Sequence, residues 1–204
     1  MIPDPPLLVV TDRRQAAHPL ADILEAAFTA GCRWASLREK DLAREEQAAL
    51  LRKLLPIARK WKARLTVHGE TAAAGVGDLH LSAGRDPALA RSSLPPDALL
   101  GISIHSIAEA RALDPAIVDY AIAGPAFETA SKPGYGPALG TEGLRAIVQA
   151  TRVPIIAIGG IEAARVGDVM RAGTAGIAVM GSVMRSRDPG GEVRALLAEV
   201  QRAR

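Results

Sequence analysis

Aromatic side chains are scarce: Phe, Trp and Tyr together make up 3% of 204 residues. The core must therefore be built from Ala, Leu, Ile and Val. So few rings also argue against a nucleic-acid module, which stacks bases on Phe, Tyr or Trp. Cysteine occurs once, at Cys32, so no disulfide can form within the chain and a reducing compartment fits. No apolar run approaches the ~18–20 residues of a membrane span. The opening MIPDPP has neither a basic region nor an apolar stretch suited to export. Long basic runs are missing too. The net charge is +3 and the pI about 9.3, yet Lys and Arg are dispersed, which suits an anionic small molecule better than nucleic acid. The expectation is a cytoplasmic protein with neither a membrane nor a nucleic-acid partner.

What the chain does have is rhythm. Eight short apolar runs recur: LLVVTD (7–12), WASLRE (34–39), LTVHG (65–69), DLHLS (78–82), LLGISIH (99–105), VDYAIAG (118–124), VPIIAIGG (153–160) and GIAVMGS (176–182). Most are near-continuous, as parallel strands covered on both faces require. Between them, PLADILEAAFTAG (19–31) and REEQAALLRKLLPIARKW (44–61) carry apolar residues at helical spacing, and Gly31 and Gly173 stand where left-handed helix ends belong. A last helix is expected from about Gly191 to Arg204. Eight strands alternating with helices predict an α/β fold, a (β/α)8 TIM barrel in one domain spanning 1–204. Segments 70–77 and 83–98 leave room only for short helices, so a doubly wound open sheet is the alternative.

In such a barrel, chemistry belongs at the C-terminal strand ends. IAIGGI (156–161) places Gly159 and Gly160 between a strand and a helix start, and AVMGS (178–182) repeats the arrangement with Gly181 and Ser182. Glycine lets backbone N–H groups approach an anion, so a phosphate cradle is expected at strands seven and eight. LREKD (37–41) puts Arg38 and Lys40 two apart, on one face of a strand, with both cations directed into the mouth. The loop GPAFETASKPGYGPALG (124–140) is long for a connector and reads as a lid carrying Glu128, Thr129, Ser131 and Lys132. His68, at the end of the third strand, is an acid–base candidate; His80 and His18 read as structural.

Taken in order, VTDR (10–13), LREKD, GISIHS (101–106), the 124–140 loop, AIGGI (157–161) and IAVMGS (177–182) resemble the superfamily of thiamine phosphate synthase and the TenI-like thiazole tautomerases. The resemblance implies Arg38 and Lys40 as pyrophosphate-binding cations and Ser103, Thr129, Ser131 and Lys132 as further substrate contacts. Gly159, Gly160, Gly181 and Ser182 match the thiazole phosphate cradle. Where the synthase pattern carries metal-binding acids, this chain has Gly69 and Arg85, so no metal residues are expected. Asp86, Glu70 and Glu39 are the fallback Mg²⁺ ligands. Phe127-Glu128-Thr129 is more similar to the tautomerase loop, but Pro125 stands where the tautomerase histidine falls. The resulting expectation is a thiazole phosphate-binding, metal-independent tautomerase with His68 and Glu128 as catalytic residues. The alternatives are a divergent Mg²⁺-dependent synthase and a non-catalytic binder. A homodimer is compatible with the sequence, because Trp34 and Trp61 suit core or interface equally.

Overall fold

The structure, a computed structural model, describes residues 1–69, 77–129 and 137–204. The eight apolar runs form eight parallel strands: β1 (Leu7–Val10), β2 (Trp34–Leu37), β3 (Arg64–His68), β4 (Leu79–Leu81), β5 (Leu100–Ile104), β6 (Tyr120–Ala123), β7 (Ile155–Ile158) and β8 (Gly176–Val179). Each pairs with the next, and β1 pairs with β8. The sheet is a closed barrel, which eliminates the open doubly wound alternative.

Helices α1 (Leu20–Thr29), α2 (Arg44–Lys60), α3 (Pro87–Arg91), α4 (Ile107–Arg111), α5 (Gly140–Gln149), α6 (Ala163–Arg171), α7 (Gly181–Met184) and α8 (Pro189–Arg202) surround it. The logic of α1 is typical. Leu20, Ile23, Leu24, Ala27 and Phe28 recur at i, i+3, i+4, i+7 and i+8 and are all buried, so one stripe seals against the strands. The chain then leaves the helix through Gly31, at φ +109°, a left-handed conformation that glycine adopts without penalty. Gly173 does the same after α6, at φ +94°. The last helix starts two residues earlier than expected, because Asp188 caps it: its carboxylate accepts the Gly191 N–H at 2.8 Å, and Pro189 opens the first turn. The 83–98 segment holds the five-residue α3 and no longer helix.

Strand alternation divides the apolar residues into two layers. Leu7, Val9, Ala35, Leu37, Leu65, Val67, Leu79 and Leu81 face the helices in one continuous core. The opposite positions point into the barrel, where Leu8, Val10, Trp34, Tyr120, Ile122, Ile156 and Ala178 form a second cluster. Trp34 and Tyr120 are fully buried there and meet edge to face, ring centroids 4.7 Å apart. Trp34 is thus core. Trp61 sits at the end of α2, donating its indole N–H to Glu25 at 3.1 Å. At the N-terminal end of the strands, Arg64 pairs with Asp78 and Arg91 with Asp119. Each carboxylate also accepts a backbone N–H, from Leu99 and Leu100 respectively, which pins the start of β5. Among the described residues, no helix is long and apolar enough to cross a membrane.

Candidate active site

At the opposite, C-terminal end of the strands lies a cavity of about 360 Å³. That volume falls in the range of small-molecule sites. Its wall is built from seven strand ends and the loops that follow them, with Val10 from β1 and Arg38 just past β2 among them. His68 arrives from β3, Ser103 from β5, Ile122 and Gly124 from β6, Ile158, Gly159 and Gly160 from β7, and Gly181 and Ser182 from β8.

A carboxylate sets the cationic side. Glu39 is 3% exposed, accepts the Thr11 hydroxyl at 2.7 Å and takes the Arg13 N–H on both oxygens, at 3.2 and 3.1 Å. Thr11 Oγ1 in turn accepts the Arg38 N–H at 3.0 Å. This clip ties the end of β1 to the end of β2 and turns Glu39 away from the mouth. Its neighbours Arg38 and Lys40, both past the end of β2, then differ: Arg38 is half-buried and Lys40 exposed, against the expectation that both cations enter the mouth. Arg38 lines the cavity. Lys40 is not in the wall, but its charge is felt at the axis: partial desolvation and then Arg38 pull its ammonium below the ordinary lysine range. Both cations also depress His80, deep in the barrel, after the larger effect of burial. The role of VTDR was not legible beforehand, because nothing in the sequence shows that Thr11 and Glu39 meet.

The glycine cradle has a packing reason beside its proposed ligand role. Gly159 and Gly160 have φ of +104° and +63°. A Cβ on Gly160 would lie 2.4 Å from the Glu128 carbonyl oxygen and 2.8 Å from Phe127 Cβ. The chain after β6 therefore lies directly on this turn, hydrogen-bonded through Ala126 N–H to Ile158 O at 2.7 Å and Phe127 N–H to Gly159 O at 3.0 Å. Arg165 closes the same corner, its guanidinium 4.5 Å from the Phe127 ring centroid. That fold-back carries Glu128 and Thr129 into the cavity wall, with Glu128 exposed at its rim.

The structure thus brings together His68, Ser103, Arg38, Glu128, Thr129, Gly159, Gly160, Gly181 and Ser182, and leaves Lys40 exposed outside the wall. Ser131, Lys132 and Glu70 lie outside the described residues. Three wall residues were missed or underweighted. Arg165 and Arg185 add positive charge beside the glycines, one in α6 and the other one residue past α7. A cation shortly after each glycine turn, Arg165 after Gly160 and Arg185 after Gly181, was the signal. His105 also reaches the wall, its Nδ1 2.6 Å from the Gly124 carbonyl oxygen, which can only accept and so places the ring proton on that nitrogen. His80, expected as structural, is fully buried, and it also bonds Ser103. Burial above all keeps it neutral, its pKa pushed down to about 3.

The described acids do not assemble a magnesium site. Mg²⁺ demands several oxygens in near-octahedral array. Asp86 spends its carboxylate capping α3, accepting the N–H groups of Ala88 at 2.9 Å and Leu89 at 3.4 Å. Glu39 is consumed by Thr11 and Arg13. Among the described residues, no group of three His, Cys, Asp or Glu side chains converges.

A closed (β/α)8 barrel with glycine turns and cations around one C-terminal cavity belongs to the class of barrels that bind phosphorylated small molecules at the strand ends. Comparison makes the assignment specific. Residues 7–183 match the thiamine monophosphate synthase family, and the chain belongs to that family. It is 35% identical to the thiamine-phosphate synthase of a Roseiflexus species over 96% of this chain and 85% of that one. The thiamine biosynthesis bifunctional protein ThiM/ThiE of Symbiobacterium thermophilum is 38% identical over 90% of this chain, which spans 39% of that longer protein. The thiamine phosphate pyrophosphorylase structure from Pyrococcus furiosus superimposes with a TM-score of 0.85 at 27% identity, covering 97% of this chain and 96% of that one. The chain is thus a barrel of the thiamine biosynthetic family.

Proposed function

We propose that this protein is a transferase that joins a pyrimidine methyl diphosphate to thiazole phosphate. The observation that carries this reading is Arg38 in the cavity wall, its backbone N–H held by the Thr11–Glu39 clip, with the charge of Lys40 beside it. Two charges match a diphosphate better than a single carboxylate, and the glycine turns with Arg165 and Arg185 offer a separate place for a monophosphate. The relatives named thiamine-phosphate synthase support the same reading. In the coupling, the bond from the pyrimidine methylene carbon to oxygen breaks, and its electron pair leaves with the diphosphate. The thiazole nitrogen donates its lone pair to that carbon, forming the C–N bond, and no proton needs to move. Arg38 and Lys40 stabilise the charge that develops on the departing diphosphate. The cavity wall brings the thiazole nitrogen within reach of the methylene carbon.

The acid inventory favours a second reading. With Gly69 just past β3 and Asp86 occupied as a helix cap, a proton shift within carboxythiazole phosphate, which needs no metal ligand, suits the described acids. His68 would take the proton from one ring position and return it at another, with Glu128 at the rim as the second acid–base group.

One experiment separates the readings. The protein is incubated with both coupling substrates in Mg²⁺ and, separately, with carboxythiazole phosphate in EDTA, and each reaction is followed by NMR. Thiamine phosphate and pyrophosphate appearing together establish the transferase, with turnover falling at least about tenfold in Arg38→Gln, a charged hydrogen bond's worth. Isomerisation in EDTA, abolished in His68→Asn, establishes the tautomerase instead. Saturable binding of thiazole phosphate with neither reaction overturns both and leaves a binding protein.

A further inference from the structure

The inward positions His68, His80, Gly101 and Tyr120 lie side by side in register across β3, β4, β5 and β6. Gly101 contributes no side chain, and the Tyr120 ring occupies the vacated space: a Cβ on Gly101 would sit 2.1 Å from Tyr120 Cζ. The ring therefore crosses β5 and brings its hydroxyl 3.1 Å from His80 Nδ1. His80 Nε2 lies 2.9 Å from Ser103 Oγ, two residues farther along β5 and in the cavity wall. At the other end, Trp34 Nε1–H donates to Thr66 Oγ1 at 3.0 Å, and Thr66 acts on the Tyr120 hydroxyl, lowering its pKa against the larger effect of burial. Trp34, Thr66, Tyr120 and His80 are all fully buried. Five side chains thus form one polar line from the barrel's centre to its mouth, with Tyr120, His80 and Ser103 joined by hydrogen bonds.

The line has a direction because its first member has no choice. An indole N–H only donates. Thr66 accepts from it and must place its own hydrogen elsewhere; the hydroxyl of Ser36, its register neighbour, makes no hydrogen bond among the described residues. The Tyr120 oxygen is the acceptor within the line. Tyr120 then donates to His80 Nδ1, neutral His80 carries its proton on Nε2 and donates to Ser103 Oγ, and the Ser103 hydrogen is left pointing at the cavity. We infer that Trp34, Thr66, Tyr120 and His80 are positioning residues that present Ser103 to the mouth as a hydrogen-bond donor, selecting an acceptor atom on the ligand: an ionised phosphate oxygen or an unprotonated ring nitrogen. A protonated ring nitrogen or an amino group at that place would meet hydrogen against hydrogen. The inference rests on the cavity taking an anionic ligand and not on which reaction follows.

The test reads the tautomer directly. Long-range proton–nitrogen correlation spectra of the ¹⁵N-labelled full chain distinguish the two neutral imidazole forms. His80 is assigned by elimination with His18→Gln, His68→Gln and His105→Gln, so that the buried residue need not be replaced. The expected result is a single His80 tautomer protonated on Nε2, and a mixture of both forms in Tyr120→Phe, which keeps the ring over Gly101 and removes only the hydroxyl. The tautomer protonated on Nδ1 in the unaltered chain reverses the line and overturns the inference, as does a tautomer indifferent to Tyr120→Phe. Inorganic pyrophosphate supplies the ligand arm: Ser103→Ala weakens its binding about tenfold, the size of one hydrogen bond to a charged group. Unchanged affinity removes Ser103 as a donor to the cavity. Neither readout requires turnover, so both stand apart from the fate of the transferase proposal.

Discussion

The inside of the barrel is two unlike halves. Along β7, β8, β1 and the upper part of β6 the inward positions are Ile122, Ile156, Ile158, Ala178, Leu8 and Val10. Along β2 to β5, above Trp34, they are Ser36, Arg38, Thr66, His68, His80 and Ser103, and Tyr120 reaches in from the start of β6 to join them. The first half is dry packing; the second is a polar column with Arg38 at its top. Both halves obey the same alternation, and their outward neighbours are equally apolar. The difference is confined to one face of four consecutive strands. Apolar packing is indifferent to direction, whereas a polar column must satisfy every donor and acceptor, so its residues are locked to one another. The half that carries chemistry is also the half in which a single substitution leaves partners unsatisfied.

If the division is real, damage on the two sides should differ in kind. The largest loss of stability comes from the dry half. Ile156 is fully buried between Leu8, Ile122 and Ala178. Ile156→Ala removes three carbons and leaves a cavity that rigid strands cannot close, costing about 2–5 kcal/mol of unfolding free energy. Denaturant titration measures it. Pyrophosphate affinity in the folded fraction stays near that of the unaltered chain, because no polar partner is lost. A loss below about 1 kcal/mol would mean that the apolar half is loosely packed.

The polar half shows itself in pH. His80 has its pKa pushed down to about 3 by burial and, to a lesser degree, by Lys40 and Arg38, against about 6.5 for the free side chain. Above pH ~6.5 the ring is neutral folded and unfolded, and contributes no pH dependence. As pH falls below that value the unfolded chain takes up a proton that the folded chain refuses, so stability drops. The slope approaches about 1.4 kcal/mol per pH unit for this one group, down to the folded pKa. Unfolding free energy measured at pH 7 and at pH 5.5 should therefore differ by about 1.3 kcal/mol more in the native chain than in His80→Gln, which does not titrate. Equal differences would place a charged or water-exposed imidazole in the column and sink the picture of a sealed polar core.

How much of this the sequence discloses follows from the same division. The barrel was legible because eight apolar runs and the helical stripes between them are local signals, and local signals suffice for β and α elements. The glycine turns were legible as turns. Their second role, receiving the loop after β6, was not, since it depends on Phe127 and Glu128 folding back across thirty residues. His80 looked like a core histidine, and by burial it is one. Its link to Ser103 needs the register of β4 with β5, and Tyr120 reaches it only because Gly101 is bare. None of these pairings leaves a trace in spacing along the chain. The cations were readable as a pair, but what anchors Arg38, Thr11 with Glu39, is a contact past the ends of β1 and β2 that only the pairing of those strands creates.

The smallest expected effect bears on the acids. Asp86 is the one described carboxylate next to the position where the family resemblance puts a metal ligand, and it is committed to two N–H groups at the start of α3. Asparagine caps as well as aspartate, because its side-chain oxygen accepts the same bonds. Asp86→Asn should then change unfolding free energy by less than about 0.5 kcal/mol. If the carboxylate serves only the helix, the Mg²⁺ concentration for half-maximal coupling, or the metal-free isomerisation rate, also stays where it was. An Asp86→Asn chain of native stability that needs far more Mg²⁺ would show the loop abandoning its cap to reach a metal. The boundary between the halves would then move, with a charged group from outside the barrel joining the column at its mouth. Full activity at native stability, by contrast, would confine the chemistry to the side chains that already face inward.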